Sequence, residues 1–215
     1  MNVNQIYEAM GVPRGALSLL EPISCPVLGE ECLSSYIMRN KMALGRKLVA
    51  ILDQNASFLS KDELELASRV LCAGRQVPLS LCSGSKKSQT LALALSGIYP
   101  SFDFRQMIAG GVNFLGLAEV PKLKKHISWC SECLHAPSAK NEALWYPLAW
   151  NLYGNNMCAK HKGYLKGCCI ACGSRFNQFT IHMLEGRCRE CQTSCLLAGN
   201  TNKETEASIQ PGLFD

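Results

Sequence analysis

The sequence of 215 residues contains no long apolar run. Its longest candidate, residues 91–98, is short and is interrupted by Ser96 and Gly97, whereas a helix that crosses a bilayer needs about 18 consecutive apolar residues. Residues 1–5 also lack the basic n-region and the apolar h-region of a secretory signal peptide. We therefore expect a cytoplasmic protein with no membrane partner, in which cysteine thiols stay reduced.

Motifs of several enzyme classes are also absent from the sequence. Residues 84–88 lack the first glycine and the spacing of a phosphate-binding loop, and no set of carboxylates suits two-metal strand transfer. The zinc deaminase pattern begins with His-x-Glu, but neither His135 nor His182 is followed by a glutamate at that position. We expect no catalytic residue and no small-molecule substrate, with a metal-dependent nucleic-acid enzyme as an alternative.

Charge is modest in amount and uneven in distribution. Residues 120–195 carry ten lysines and arginines against four acidic residues, whereas the remainder of the chain carries twelve against thirteen. The basic region favours contact with nucleic acid or with an acidic protein face, although mild basicity often reflects only a solvated surface. The candidate contact residues are six lysines of this region: Lys122, Lys124, Lys125, Lys160, Lys162 and Lys166.

Cysteine is abundant, with thirteen residues in the chain. The basic region holds two successive four-ligand sets, each made of two pairs of closely spaced residues. The first set is Cys130, Cys133, Cys158 and His161, and the second set is Cys169, Cys172, Cys188 and Cys191. A Cys-x-x-Cys turn lets both thiolates reach one ion about 2.3 Å away, and a second pair closes the tetrahedron. The spacing predicts two Zn²⁺ ions in closed sites, which favours a structural role for the metal.

Other interpretations of the cysteines stay open. Disulfides or chance can also produce paired cysteines, and Cys168 or Cys195 can replace a neighbour as a ligand of the second set. Four further cysteines lie in the N-terminal half without such pairing: Cys25, Cys32, Cys72 and Cys82. We expect these to be small buried apolar residues, because no local His or Asp is placed to activate a catalytic thiol.

Apolar residues recur at helical spacing through much of the N-terminal half. Gly45 is expected to divide the first periodic stretch into two helices, and Ser60 with Glu63 predicts a capping box at the start of the next. Residues 78–88 are interpreted as a connector, followed by short helices over residues 89–95 and 101–108.

The predicted fold class is α plus a small zinc-stabilised β part: a helix-turn-helix-like helical domain followed by two tandem zinc ribbons or knuckles. The expected domains are an N-terminal extension over residues 1–21, the helical domain over 22–120, the zinc-binding domain over 121–195 and a disordered tail over 196–215. Residues 145–150 alternate in bulk and predict a strand. Its aromatic residues either pack over the zinc knuckles or stack on bases.

The cysteine-rich region contains four short motifs in a fixed order. They are Cys-x-x-Cys-Leu at residues 130–134, an aromatic segment ending at Trp150, Cys-x-x-His-x-Gly at 158–163, and a leucine followed by Cys-x-x-Cys-Gly at 165–173. In this order, about residues 22–195 resemble the TniQ family of transposition target-selection proteins. The family's Glu-Ser-Leu-x-Ser-Trp-Leu-x-Arg helix stands here at residues 31–39, with Cys32 and Tyr36 in place of Ser and Trp.

The resemblance implies a non-catalytic adaptor of bacterial DNA transposition. Such an adaptor links a target-recognition module, either a CRISPR effector with its guide RNA or a target DNA site, to TnsC, the AAA+ ATPase that recruits the transposase. The chain resembles the short form found in CRISPR-associated transposons, which is expected to cap one end of a TnsC filament and to touch the guide RNA scaffold. The alternative is a zinc-containing helix-turn-helix DNA-binding regulator, although no helix rich in Arg, Asn or Gln marks a recognition surface.

The last residues contain a short motif of their own. Gln210, Leu213 and Phe214 are spaced as in peptides that dock on the bacterial sliding clamp. The motif is short and degenerate, so chance, clamp docking, and docking on TnsC or the effector all stay open for it.

Overall fold

The computed structural model describes residues 19–72, 74–111, 121–139 and 144–194. Its α-helices are α1 (Leu33–Leu44), α2 (Lys47–Asn55), α3 (Lys61–Cys72), α4 (Lys86–Ile98), α5 (Ser131–Ala139) and α6 (Ile181–Leu184). Its strands form two antiparallel pairs, β1 (Ser24–Cys25) with β2 (Gly29–Glu30) and β3 (Gln76–Pro78) with β4 (Gln178–Thr180). Turns of 3₁₀ helix occupy Ala56–Phe58, Leu79–Cys82, Phe104–Met107 and Leu148–Asn151. The predicted mixture of helices with a small β part is therefore confirmed.

Within the described ranges, no helix combines the length and the apolar character that a membrane crossing requires. Several predictions concern residues outside these ranges: most of the N-terminal extension, Cys195, and the tail with its Gln-x-x-Leu-Phe motif. The helix-turn-helix arrangement, the zinc-ribbon architecture and the domain boundaries stay predictions.

The helical half forms as predicted at two points. Gly45 follows α1 with a φ of 50° and separates it from α2, a conformation that glycine adopts without steric cost. The capping box at the start of α3 is complete. Glu63 Oε2 accepts a hydrogen bond from the Ser60 backbone N–H at 2.8 Å, and the Glu63 N–H donates to Ser60 Oγ at 3.3 Å.

Two local predictions in this half are wrong. The expected connector over residues 78–88 contains a 3₁₀ turn, and α4 begins already at Lys86 because Ser85 Oγ caps it by accepting from the Ser88 N–H at 3.3 Å. The expected helix over residues 101–108 is only the 3₁₀ turn Phe104–Met107. Asp103 caps it as expected, since its Oδ1 accepts from the Arg105 N–H at 3.0 Å.

The predicted strand over residues 145–150 is also wrong. Pro147 has extended backbone angles, and the 3₁₀ turn Leu148–Asn151 follows it directly. Trp150 is only 2% exposed and meets Tyr146 edge to face, with ring centroids 6.2 Å apart. Because Trp150 is buried in the core, its ring has a packing role and offers no free face to a base.

The helical half and the cysteine-rich half share one junction. β3 pairs with β4, which places Val77 opposite Phe179. The Cys32 N–H donates to the Tyr146 carbonyl at 2.8 Å, and the Tyr146 N–H donates to Ser35 Oγ at 3.1 Å. Buried apolar residues of both halves belong to one continuous cluster, so the two halves stabilise each other.

A buried ion pair lies at this junction. Arg39 Nη2 donates to Glu31 Oε2 at 2.6 Å, and the Ser35 hydroxyl donates to Glu31 Oε1 at 2.8 Å. Burial raises the pKa of the Glu31 carboxyl, against the opposing effect of the Arg39 guanidinium. Removing one partner would leave the other charge buried without compensation, which is strongly destabilising in proteins.

The N-terminal cysteines divide into two kinds. Cys32 and Cys82 are fully buried, as expected, whereas Cys25 is half-buried and Cys72 is exposed, which corrects the expectation for those two. Cys82 Sγ accepts from the Ser34 N–H at 3.3 Å in the first turn of α1. Because Cys32 at the N-cap position makes no side-chain cap of its own, the Cys82 sulfur supplies the acceptor that an N-cap oxygen usually provides.

Two candidate metal centres

The first ligand set is assembled from a helix start and a tight turn. Cys130 precedes α5, and Cys133 lies in the first turn of that helix. Cys158 and His161 come from a turn after the Trp150 segment, where the Cys158 N–H donates to the Gly163 carbonyl at 2.9 Å. The structure brings these four predicted ligands together in one cluster.

The turn that holds Cys158 and His161 depends on a left-handed residue. Lys162 follows His161 with a φ of 55°, and its N–H donates to the Cys158 carbonyl at 2.8 Å. This conformation folds the chain back at once, so that two ligands with only two residues between them serve the same centre.

The second ligand set uses the same turn twice. Gly173, with a φ of 72°, follows Cys172 and donates its N–H to the Cys169 carbonyl at 2.8 Å. Gln192, with a φ of 59°, follows Cys191, and its N–H donates to the Cys188 carbonyl at 3.0 Å. The last two of the three turns therefore bring all four ligands of the second set together.

Distances between donor atoms in the first set match a tetrahedral metal site. The sulfur atoms of Cys133 and Cys158 are 3.6 Å apart, and His161 Nδ1 lies 3.2 Å from Cys133 Sγ and 3.4 Å from Cys130 Sγ. Tetrahedral zinc with Zn–S bonds of about 2.3 Å separates its sulfur ligands by about 3.8 Å. These ligand atoms therefore lie close to the separations that one ion would impose.

The second set has the same spacing. The sulfur pairs Cys169–Cys191 and Cys172–Cys188 are each 3.7 Å apart, whereas the sulfur atoms of a disulfide are about 2.05 Å apart. All eight predicted ligands thus lie in two clusters, within each of which the donor atoms are no more than 4.8 Å apart. Each cluster can hold a metal ion, and the disulfide interpretation does not fit either one.

The surroundings shift the pKa values of the ligand thiols in both directions, and metal binding requires the thiolate form. A hydrogen bond from the Cys133 thiol lowers the pKa of Cys130 to about 4, and the same contact raises the pKa of Cys133. A hydrogen bond from the Thr193 side chain lowers the pKa of Cys191 to about 6. Burial raises the pKa of Cys188 to about 12, and a bound cation would offset that effect.

The six candidate lysines do not share one environment. Lys124 is half-buried, and its ammonium group donates to the Ser128 hydroxyl and to the backbone carbonyls of Trp150 and Asn155 at 2.5–3.1 Å. Those three bonds occupy all three donors of the ammonium, which favours a structural role for Lys124. The other five candidates have exposed side chains: Lys122, Lys125, Lys160, Lys162 and Lys166.

Cys168 is the neighbour that could have replaced Cys169 in the second set. It is exposed, and the second cluster is complete without it. The register with Cys169 as ligand is therefore the one that the structure supports, while Cys195 lies outside the described residues.

Two features of the site were missed at the level of sequence. In each of the three tight turns described above, the residue after the second ligand is left-handed. That residue is a glycine only at Gly173, so nothing in the sequence marked Lys162 or Gln192 as left-handed. The role of Glu31 and Arg39 in joining the halves was also missed, although both stand in the N-terminal motif.

A scan against protein-family models found no match, and a search of curated proteins found none either.

Proposed function

We propose that the chain is a non-catalytic, TniQ-like adaptor in DNA transposition, with one structural Zn²⁺ in each cluster. It would link a target-recognition module, an RNA-guided CRISPR effector or a target DNA site, to a TnsC-like AAA+ ATPase that recruits the transposase. The observation that carries the proposal is the pair of complete four-ligand clusters, formed by the same residues that carry the family-like motifs.

The chemistry of the clusters supports a structural metal. Thiolate and imidazole ligands suit zinc, and four protein ligands leave no position for a reactive water. When bound, the ion would supply folding free energy by holding its ligand turns together. The ligands of each centre would orient the loop that runs between them.

The N-terminal motif supports the same proposal from the other half of the chain. Glu31 and Arg39, which stand at the first and last positions of the family-like motif, form the buried ion pair of the junction. Ser35, within the same motif, accepts a hydrogen bond from the backbone of Tyr146 in the loop of the first centre. A motif that joins the two halves in this way suits a rigid adaptor, because such an adaptor must hold its two partner-binding surfaces at a fixed separation.

The decisive experiment is a pull-down of a TnsC-like ATPase with the immobilised, zinc-loaded chain, with and without ATP and nucleic acid. We expect retention of the ATPase in the presence of ATP, and weaker retention by Lys122→Ala/Lys125→Ala. The matched control is Lys86→Ala/Lys87→Ala, which removes the same charge from exposed residues at the start of α4. Failure to retain the ATPase under any of these conditions would overturn the adaptor proposal.

The rival function, a DNA-binding regulator, predicts a different outcome. A regulator would select one duplex sequence from a random pool and would need no ATPase partner. An adaptor would show at most sequence-independent binding of duplex DNA, with strong dependence on salt. Selection of a single motif from the pool by the zinc-loaded chain would favour the regulator.

A further inference from the structure

The hairpin of the first centre displays an aromatic ring that the fold does not bury. Tyr164 is 74% exposed and lies opposite Met157, itself 46% exposed, in an antiparallel bridge. In the described part of the chain no aromatic partner packs on the Tyr164 ring; the ring pairs found there join other residues. Residues opposite each other in such a bridge project to the same side, so Tyr164 and Met157 form one apolar platform.

Basic side chains flank this platform along the strand. Lys166 lies two residues beyond Tyr164, and Leu165 between them is half-buried, as alternation on an extended strand requires. Lys162 precedes the strand in the turn, and Lys160 lies in the same turn. Among the described residues, the ion pairs involve none of these three lysines.

One acidic residue lies near this hairpin. A side chain at Gly163 would come within 3.8 Å of Glu132 Oε1. The carboxylate is therefore near the residue between Lys162 and Tyr164, so it reduces the local positive charge without cancelling that of all three lysines.

Backbone hydrogen bonds on both sides of the Met157–Tyr164 bridge hold the hairpin that carries the platform. The Cys158 N–H donates to the Gly163 carbonyl at 2.9 Å, and the Leu165 N–H donates to the Asn156 carbonyl at 2.8 Å. Lys166 exchanges two backbone hydrogen bonds with Trp129, at 2.8 and 2.9 Å, and Trp129 is buried in the core. The backbone that carries Tyr164 therefore needs little reordering when a flat ligand stacks on the ring.

We propose that this surface, formed by Met157, Lys160, Lys162, Tyr164 and Lys166, binds single-stranded nucleic acid. A base stacks on Tyr164, and Lys162 and Lys166 contact the phosphates on either side of it. An exposed aromatic ring between cations is the usual device for holding a single strand, whereas the bases of a duplex are stacked on one another and offer no free face. The inference rests on the proposed function, because it names the chemical class of the adaptor's nucleic-acid partner and the surface that would contact it.

The test is a fluorescence-anisotropy titration of the full, zinc-loaded chain with a labelled single-stranded RNA, a single-stranded DNA of the same sequence and the corresponding duplex. We expect both single strands to bind more tightly than the duplex at moderate salt. A preference between the RNA and the DNA strand identifies which of the two sources of single strand the surface suits better.

Variants at Tyr164 separate stacking from simple charge attraction. Loss of a stacked aromatic ring costs about 1–3 kcal/mol per base, so Tyr164→Leu should weaken single-strand binding about fivefold or more. Tyr164→Phe keeps the ring and should bind within about twofold of the wild type, because stacking depends on the π-face. Both variants should retain the wild-type zinc content and unfolding temperature, since the side chain is exposed.

Variants at the lysines test the phosphate contacts. For single strands the logarithm of the binding constant falls with the logarithm of salt by about 0.7 per phosphate contact, so Lys162→Ala/Lys166→Ala should flatten that slope by about 1.4. Lys86→Ala/Lys87→Ala is the charge-matched control and should leave the slope unchanged.

Three results would overturn the inference: no binding of either single strand at low salt, equal binding of Tyr164→Leu and wild type, or an unchanged salt slope in the double lysine variant. If these variants instead lose only the TnsC-like ATPase, the surface binds an acidic protein and the nucleic-acid assignment is wrong. The pull-down with wild-type chain reports separately on the adaptor proposal, so the two can fail independently.

Discussion

The two candidate metal centres use the same turn but differ in their burial. In the first centre, Cys130 and Cys158 are buried and the other two ligands are half-buried. In the second centre, two ligands are buried but Cys172 and Cys191 are exposed. Both centres join the core through two buried cysteines, but only the second has two ligands exposed to solvent.

The loops between the ligand pairs explain why both centres matter to the fold. The loop of the first centre carries Tyr146, and the loop of the second carries β4 with Phe179 and, beyond it, Met183. Tyr146 packs edge to face on Phe179 at 5.1 Å and donates its hydroxyl hydrogen to the Met183 carbonyl at 3.0 Å. The comparison teaches that each centre fixes the base of a loop, and that the loops, rather than the ligands, dock on the helical half.

The largest effect is expected from Cys133→Ser in the first centre. Binding of structural zinc contributes about 10–16 kcal/mol in isolated zinc-finger peptides, so loss of this ligand should release one ion and unfold much of the cysteine-rich half. Metal content by mass spectrometry and thermal unfolding by circular dichroism measure both. The control is Cys168→Ser, an exposed cysteine outside both clusters, which should change neither. Retention of both ions by Cys133→Ser would contradict the assignment of Cys133 as a ligand.

Arg39→Met should break the docking of the first loop without touching a ligand. It leaves the Glu31 carboxylate buried without its counter-charge, which typically costs about 3–5 kcal/mol. Urea unfolding should show that loss while metal content stays the same as in the wild type. Arg69→Met removes an exposed arginine of α3 and is expected to change stability by less than about 0.5 kcal/mol. A similar small effect of Arg39→Met would show that the junction does not depend on the ion pair.

Cys191→Ser in the second centre should have a smaller effect than Cys133→Ser. Cys191 is exposed, so its side chain stays in contact with water after the metal is lost and little polar surface is left uncompensated in the interior. The helices α1–α4 keep their packing. We expect loss of one ion, a smaller drop in unfolding temperature and a nearly unchanged helical signal. In the wild type, a colorimetric chelator should remove the ion of the second centre faster than the ion of the first centre. An unfolding temperature as low as that of Cys133→Ser would contradict the difference between the centres.

Gly173→Ala tests the turn itself and should have the smallest effect. A left-handed conformation costs a residue with a side chain about 1–2 kcal/mol, and no atom lies within 4 Å of the added methyl group, so the cost should come from the backbone alone. Gly167→Ala is matched, because its methyl group also meets no atom and its φ lies outside the left-handed region. Equal stability of the two variants in urea would show that the turn tolerates a side chain at no cost.

The ligand sets were predictable because their chemistry depends on residue type and short spacing. The spacing predicted eight candidate ligands, which lie in two clusters in the structure, but it left the register of the second set open between Cys169 and its neighbour Cys168. Gly45 and the Ser60–Glu63 capping box were predictable for a similar reason, since each acts within one or two turns of its own helix.

The failures concern contacts between residues distant in sequence. The bulky alternation at residues 145–150 suggested a strand, but the segment is shaped by Pro147 and by burial of Trp150 in the core. Likewise, no local pattern shows that Lys124 is held by Trp150 and Asn155, or that Cys82 caps α1 from another segment. Tertiary packing decides such positions, and it overrides local propensity.

The most direct test of the central claim is the metal content of the freshly purified chain, prepared without chelator and measured by native and inductively coupled plasma mass spectrometry. Two tetrahedral clusters predict two zinc ions per chain, together with a thiol titration in which the ligand cysteines react only after the metal is removed. One ion or none, or a mass showing that the ligand cysteines are joined as disulfides, would contradict it.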